Sequence, residues 1–356
     1  MVGNNLSYKS AKKAFVFLHG VTHDRAMPAK RLREESPQYR LAHSIDDSKP
    51  GSVKKLLALN QHFRSGVWPA PFDKSRHILR VSDSRDLSWL PNKSVHLVVT
   101  SPPYWTLKKY ESNCGQLGDI DNYETFLDEL DKTWRECARV LVPGGRICCV
   151  VGDVCVPRKR EGRHHVMPLH ADIMVRMRRL GLDNLTPILW FKITNGKTES
   201  EGNGAGFYGK PYQPGAIVKN DAEYILFFRK PGEYRSPSAI QKALSMLTKD
   251  EMKNWLRSAW YDIRGESTRN GHPAPYPTSL ADRLIRMFSF AGDTILDPFS
   301  GTGTTSIAAM KAGRNSVGSE IEHKYHNMAK ARLFAAASEL QMFGQVKAEV
   351  LIPNFN

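Results

Sequence analysis

The sequence predicts an α/β protein whose core is a doubly wound, mostly parallel sheet. Three observations carry that expectation. From His77 onward, short apolar runs alternate with amphipathic stretches of helical period, and strands alternating with helices favour parallel βαβ units. The segment DTILDPFSGTGTTSIAA reads as strand, tight glycine turn, helix. Glu320 follows Asp297 by 23 residues and ends the next strand, where an acidic residue grips ribose hydroxyls in nucleotide-binding sheets.

Taken in order, residues 1–70 are basic and irregular and read as an appended arm with no assigned role. HILRV (77–81) and SVHLVVT (94–100) are strand-like. DNYETFLDELDKTWRECARVL puts Phe126, Leu130, Trp134, Cys137 and Leu141 on one helical face, with Asp121 and Glu124 as a capping box and VPGG as the stop. RICCVVGD is the next strand. MPLHADIMVRMRRLG is a helix, with Pro168 near its start and Gly181 past its end. TPILWFK and AEYILFF are strands flanking a glycine-rich insert. TSLADRLIRMF is a helix with Ser279 and Asp282 as its capping box, DTILD a strand, GTTSIAAMKAG a helix closed by Gly313, and NSVGSEI a strand. A long helix from about Glu322 follows.

The 356 residues suffice for one large α/β domain with insertions or for two domains. Lys and Arg number 51 against 36 Asp and Glu, a formal charge of +15 that favours a polyanionic partner, most commonly nucleic acid. Five cysteines without C-x-x-C spacing indicate neither a disulfide framework nor a zinc site, so no metal is expected and a reducing cytoplasm fits. No apolar run reaches the roughly 18 residues of a membrane span.

A G-x-G turn alone is weak evidence. A dinucleotide loop would want a third glycine where Ser306 stands. GAGFYGKP (204–211) mimics a phosphate loop but offers Pro211 where Ser or Thr must hold magnesium, and FLHG (17–20) lacks the G-x-S-x-G elbow of a hydrolase.

TSPPYW (100–105) and DPFSGTGTT (297–305) together resemble the amino-methylating DNA methyltransferases, in the circularly permuted group whose catalytic half precedes the cofactor half. The similarity runs over roughly residues 77–335, and the pair of motifs in this order is specific where either alone is not. The resemblance implies a Rossmann-like methyltransferase sheet with a catalytic half at 71–193 and a target-recognition region at 194–270 that holds a core strand near 222–228. It further implies an S-adenosylmethionine-binding half at 271–340 and a tail at 341–356. The cofactor residues it implies are Asp83, Thr100, Asp297, Pro298, Phe299, Ser300, Gly301, Gly303, Thr304, Glu320 and Ile321. HPAPYPTSLADRLI is similar to the segment that closes over the methionine moiety, although it departs from the more usual His-Pro-Thr-Gln-Lys-Pro form.

The catalytic residues implied are Ser101, Pro102, Pro103 and Tyr104. An exocyclic amine is a poor nucleophile because its lone pair is delocalised into the ring, so acceptors must hold its two protons as it moves toward tetrahedral geometry. Proline lacks an N–H and fixes φ, so the pair makes a stiff corner. The Ser101 hydroxyl and the Pro102 carbonyl are the expected acceptors, and Tyr104 is expected against the base. Extruding that base from the duplex costs a few kcal/mol, and one stacked ring returns about 1–3 kcal/mol, so phosphate contacts are also needed. Serine at the first position goes, in this family, mostly with N4-cytosine methylation and Asp or Asn with N6-adenine. A thiolate route to cytosine C5 is excluded by the lack of a Pro-Cys pair.

The expected substrate is therefore double-stranded DNA, for a cytoplasmic monomer or homodimer of the restriction-modification kind, with the pairing to a cognate endonuclease left open by the sequence. N6-adenine methylation, and a non-catalytic DNA-binding protein on the same fold, are the alternatives. Several residues carry two readings. Asp83 is either a contact to the cofactor's adenine amine or a local turn cap. Asp297 orders the loop or meets the methionine ammonium, and Asp153 reads as structural. Trp105 and Trp190 are target-base candidates or packing residues, and Lys192 is a phosphate contact or a solvated strand end.

Overall fold

The computed structural model describes residues 45, 46, 49, 51–66, 68–105, 115–192, 222–266, 276–343 and 346–353. Its strands are β1 Lys74–Val81, β2 Val95–Thr100, β3 Leu141–Val151, β4 Val154–Val156, β5 His165–Met167, β6 Asp183–Phe191, β7 Ala222–Arg229, β8 Ala259–Trp260, β9 Thr294–Asp297, β10 Asn315–Glu320 and β11 Lys347–Leu351. The helices are α1 Ser52–Ser65, α2 Tyr123–Val140, α3 Arg158–Glu161, α4 Leu169–Arg179, α5 Ala239–Ser245, α6 Lys249–Trp255, α7 Thr278–Phe288, α8 Thr304–Lys311 and α9 His323–Phe343.

Nine strands form one sheet in the order β11-β1-β10-β9-β2-β3-β7-β6-β8. Every neighbouring pair is parallel except the two made by β7, which runs antiparallel to β3 and β6. Helices cover both faces, as the alternating pattern requires. On one face α2 lays down Phe126, Leu130, Trp134 and Cys137, all fully buried with Val98, Leu296 and Val317 of the sheet. Burying each of those larger side chains contributes roughly 2–3 kcal/mol. On the other face Leu280, Leu284 and Ile285 of α7 and Ala308 and Ala309 of α8 meet Leu97, Val99 and Ile295.

Several expectations need correction. The N-cap of α2 is Asn122, whose side chain accepts from the Thr125 N–H, and not Asp121. The helix stops at Val140, and the VPGG segment already lies in β3. No side chain caps α7, whose N-cap is Pro277, so the Ser279/Asp282 box does not form. Residues 52–65, read as part of an irregular arm, make α1, whose Leu56, Leu59 and Phe63 are buried against Ile240, Ala243 and Leu244 of α5. The Asn60 side-chain amide donates to the Ala243 carbonyl at 2.8 Å across the same contact. Residues 347–351 of the expected tail form β11, an edge strand on β1.

Among the described residues no helix is long and apolar enough to cross a membrane, and no group of three His, Cys, Asp or Glu side chains is placed to hold a metal ion. Insert residues 195–220, including GAGFYGKP, and His272 to Pro275 lie outside the described residues, as does the FLHG segment.

Candidate active site

Strands β2 and β9 pair directly, Leu97 with Ile295 and Val98 with Leu296. Their carboxyl ends therefore stand side by side, although Ser101 and Asp297 are 196 residues apart in the chain. Buried Asp297 joins the two ends. Thr100 Oγ1 donates to its Oδ1 at 2.7 Å, and the Phe299 N–H donates to the same oxygen at 3.1 Å. Thr305 Oγ1 at 2.5 Å and the Tyr276 hydroxyl at 3.1 Å donate to Oδ2. Burial pushes the Asp297 carboxyl above its ordinary range, and these hydrogen bonds oppose the shift. Of the two roles open to Asp297, the structure displays the first, holding β2, the loop and α8 together.

The loop after β9 has Gly301 at φ 51° and Gly303 at φ 80°, left-handed values that an L side chain adopts only with strain. Gly303 also admits α9 closely, since a Cβ there would stand 3.1 Å from Ala329 and Leu333 side-chain atoms. Arg332 of α9 grips the loop tip, donating to the Thr302 carbonyl at 2.7 Å and its hydroxyl at 2.6 Å. Glu320 accepts from the Gly301 N–H at 2.7 Å and from the Glu322 N–H at 2.9 Å. Its burial pushes its carboxyl up to about 7.

One cleft lies between these parts. Ser101, Pro102 and Pro103 line one side, Pro298, Phe299, Gly301, Glu320 and Ile321 another, and Asp83 and Tyr325 complete it with Gln116 and Leu117. Thr100, Asp297, Ser300, Gly303 and Thr304 are buried and are not among its lining residues. Gln116, Leu117, Tyr325 and Arg332 were not singled out in the sequence. Tyr325 closes the stretch SEIEHKY (319–325), which resembles the family's ribose-binding strand, whereas Gln116 and Leu117 sit in a short 3-10 turn with no motif of their own. Asp83 accepts from the Arg85 N–H at 2.9 Å and is held by the Arg85 guanidinium at 2.6 Å, so it caps its turn as well as facing the cleft.

Tyr104 and Trp105 are buried, at 6% and 4%. The Ser101 hydroxyl donates to the Tyr104 hydroxyl at 3.2 Å, which donates to the Val150 carbonyl at 3.3 Å. Trp105 packs: its Nε1 donates to the Ile120 carbonyl at 2.8 Å, and its ring meets Tyr123 edge-on. Trp190 is corrected from a base-pocket candidate to core, 1% exposed and donating to the Ile263 carbonyl at 2.8 Å. Lys192 is no solvated strand end, since its ammonium pairs with Glu223. Asp153 accepts from His170 Nδ1 at 2.7 Å, and the His170 ring stacks on Tyr224.

Comparison with known proteins bears on what uses such a cleft. The profile of the N6_N4_Mtase family, described as DNA methylase, matches residues 95–331. The chain belongs to this DNA methylase family. The methylase is 34% identical to the Type II methyltransferase M.MthZI of Methanothermobacter thermautotrophicus, over 73% of its own length and 77% of the relative's. It is also 34% identical to the Type II methyltransferase M.MjaI of Methanocaldococcus jannaschii, over 70% and 88%. Among solved structures it resembles a putative DNA modification methylase of Thermus thermophilus, TTHA0409, complexed with S-adenosyl-L-methionine, at 50% identity and TM-score 0.61 over 77% of the methylase and 99% of that chain. PvuII DNA methyltransferase (cytosine-N4-specific) shares the fold at 18% identity and TM-score 0.54, over 78% and 95%.

The cleft suits a nucleoside-bearing sulfonium. Glu320 offers a buried acceptor for hydroxyl donors, Phe299, Leu117 and Ile321 offer apolar walls, and among the described residues no lysine or arginine lines it to repel a cation.

Proposed function

We propose that the protein transfers a methyl group from S-adenosylmethionine to the N4 amine of a cytosine extruded from duplex DNA, within a short recognition sequence. The observation that carries this reading is the shared cleft of Ser101 and Gly301. A donor molecule over the glycine turn and an amine at the proline corner then meet without either strand moving. Type II methyltransferases among the relatives support action at a defined sequence, and with it a partner endonuclease whose cleavage at that sequence the methyl group would block. Serine at position 101 supports cytosine over adenine through the family resemblance.

When bound, S-adenosylmethionine supplies an electrophilic methyl group on a positively charged sulfur. The chain's own residues prepare the amine. The Tyr104 hydroxyl spends its proton on the Val150 carbonyl and so accepts from Ser101. With its proton committed to Tyr104, the Ser101 oxygen turns lone pairs outward and accepts one amine N–H, and the Pro102 carbonyl accepts the other. Those two acceptors draw the nitrogen lone pair out of ring conjugation, and the surplus proton leaves to solvent after transfer. Asp297 acts at a distance, fixing β2 against β9 through Thr100.

Digestion of methylated duplex to nucleosides and mass spectrometry tests the reading. N4-methylcytosine is expected; N6-methyladenine would move the target to adenine, and DNA that is bound yet never methylated would leave only a binding protein on this fold.

A further inference from the structure

The hairpin of β4 and β5 leaves the end of β3 immediately beside the candidate catalytic corner. Val154 and Val156 anchor it in the core, at 2% and 1% exposure, while residues 157–164 at its tip are all exposed. The tip reads PRKREGRH, with Arg158, Lys159, Arg160 and Arg163 against the single acid Glu161. That acid faces His165 at 3.4 Å.

Elsewhere in the described molecule several arginines are neutralised by carboxylates. Arg176 meets Glu124, Asp128 and Asp131, Arg229 meets Asp183, Arg283 meets Asp262 and Arg286 meets Glu251. Among the described residues no carboxylate pairs with Lys159 or Arg163. The tip is also tied to the corner. The Arg160 guanidinium lies 4.6 Å above the ring of Trp105, the residue after Tyr104. Gly152, two residues before β4, has the Tyr104 ring 3.5 Å from where its Cβ would stand.

From this placement we infer that the Pro157–His164 tip is a phosphate clamp on duplex DNA, gripping the backbone that flanks the extruded nucleotide. The inference rests on the proposed function, because it takes the corner as the place where the base enters. Un-neutralised cations on a short, core-anchored hairpin lose little freedom on meeting phosphates, and each contact releases condensed counterions. The clamp supplies contacts that one stacked ring cannot, and Arg160 over Trp105 couples the grip on the backbone to the position of the corner.

The test measures binding of the full chain to a short mixed-sequence duplex across a salt series, for the wild type and for Lys159→Gln with Arg163→Gln. Each lost phosphate contact lowers the log-affinity against log-salt slope by about 0.9, so the double variant's slope shrinks by about 1.8. A fourfold rise in salt then costs the variant about tenfold less affinity than it costs the wild type. S-adenosylmethionine affinity and melting temperature stay at wild-type values, and the charge-keeping exchange Lys159→Arg with Arg163→Lys restores the slope. Removing two exposed charges from the far end of α4, Arg178→Gln with Arg179→Gln, leaves the slope unchanged. An unaltered slope in the tip variant, or an equal fall in the α4 variant, overturns the clamp. A wild type that binds duplex steeply with salt but never labels it with methyl overturns the proposed function instead, and the two failures are read on separate assays.

Discussion

At the scale of single residues, the direction of one hydrogen-bond relay decides what Ser101 can do. Because Tyr104 donates to Val150, Ser101 is left as the donor to Tyr104, and on the proposed reading its lone pairs stay available to an amine in the cleft it lines. Tyr104→Phe keeps the packed ring and removes only the relay, so methyl transfer should fall about tenfold, the worth of one net hydrogen bond near 1.4 kcal/mol, with cofactor affinity unchanged. Ser101→Ala should fall further, about 10²–10³-fold, the range for losing a preorganised polar group at the reacting atoms; a variant that instead loses cofactor binding would overturn the role. Steady-state rates with isothermal titration of the cofactor separate the two effects. Glu320 adds a pH dependence. Its carboxyl, raised to about 7 by burial, is protonated below that pH and then accepts poorly from ribose hydroxyls. Cofactor affinity should therefore be full above about pH 7 and fall by up to about tenfold per unit below it, with Glu320→Gln weak and flat across the range. Ser101, Gly301 and Glu320 were legible in the sequence because their signals are local: a proline pair, a glycine turn and a fixed spacing. The pairing of Lys192 with Glu223 and the core burial of Trp190 were not, because each depends on a neighbour brought by another strand or loop.

At the scale of elements, α1 shows how a real signal is passed over. Leu56, Leu59 and Phe63 recur at helical spacing, yet their partners on α5 are about 180 residues away, and the preceding charge and turn residues masked the pattern. Phe63 is 3% exposed, so Phe63→Ala should destabilise the fold by about 3–5 kcal/mol, the range for emptying a packed aromatic site. Urea denaturation checks it, and a loss under about 1 kcal/mol would mean that α1 packs loosely. The same reasoning explains the cap of α2. Both Asp121 and Asn122 have cap chemistry, and only the backbone at Asn122, extended at φ −79° and ψ 122°, brings its side chain to the Thr125 N–H. Propensity narrows a cap to a pair of residues; the chain's entry angle selects between them.

At the scale of the whole molecule, the order of strands in the sheet sets how the protein can be divided. Cutting the chain between Lys192 and Ala222 leaves β1, β2, β3 and β6 on the first piece and β7 to β11 on the second. In the sheet those strands interleave, with β1 between β11 and β10, β9 beside β2, and β7 between β3 and β6. Each piece keeps one central pair, β2 with β3 or β9 with β10, but β1 and β6 on the first and β7, β8 and β11 on the second lose every partner, and an unpaired strand of a buried parallel sheet exposes both backbone groups and apolar faces. The cleft divides in the same way, with Ser101 from the first piece and Gly301 and Glu320 from the second. Each piece expressed alone should therefore be insoluble or unfolded and bind no cofactor, while co-expression should recover a complex that binds S-adenosylmethionine. The intact chain should melt in one cooperative transition by both circular dichroism and intrinsic fluorescence. A soluble, cofactor-binding second piece would show that β9 and β10 need no support from β1 and β2, and would detach the cofactor side of the cleft from the corner that Ser101 occupies.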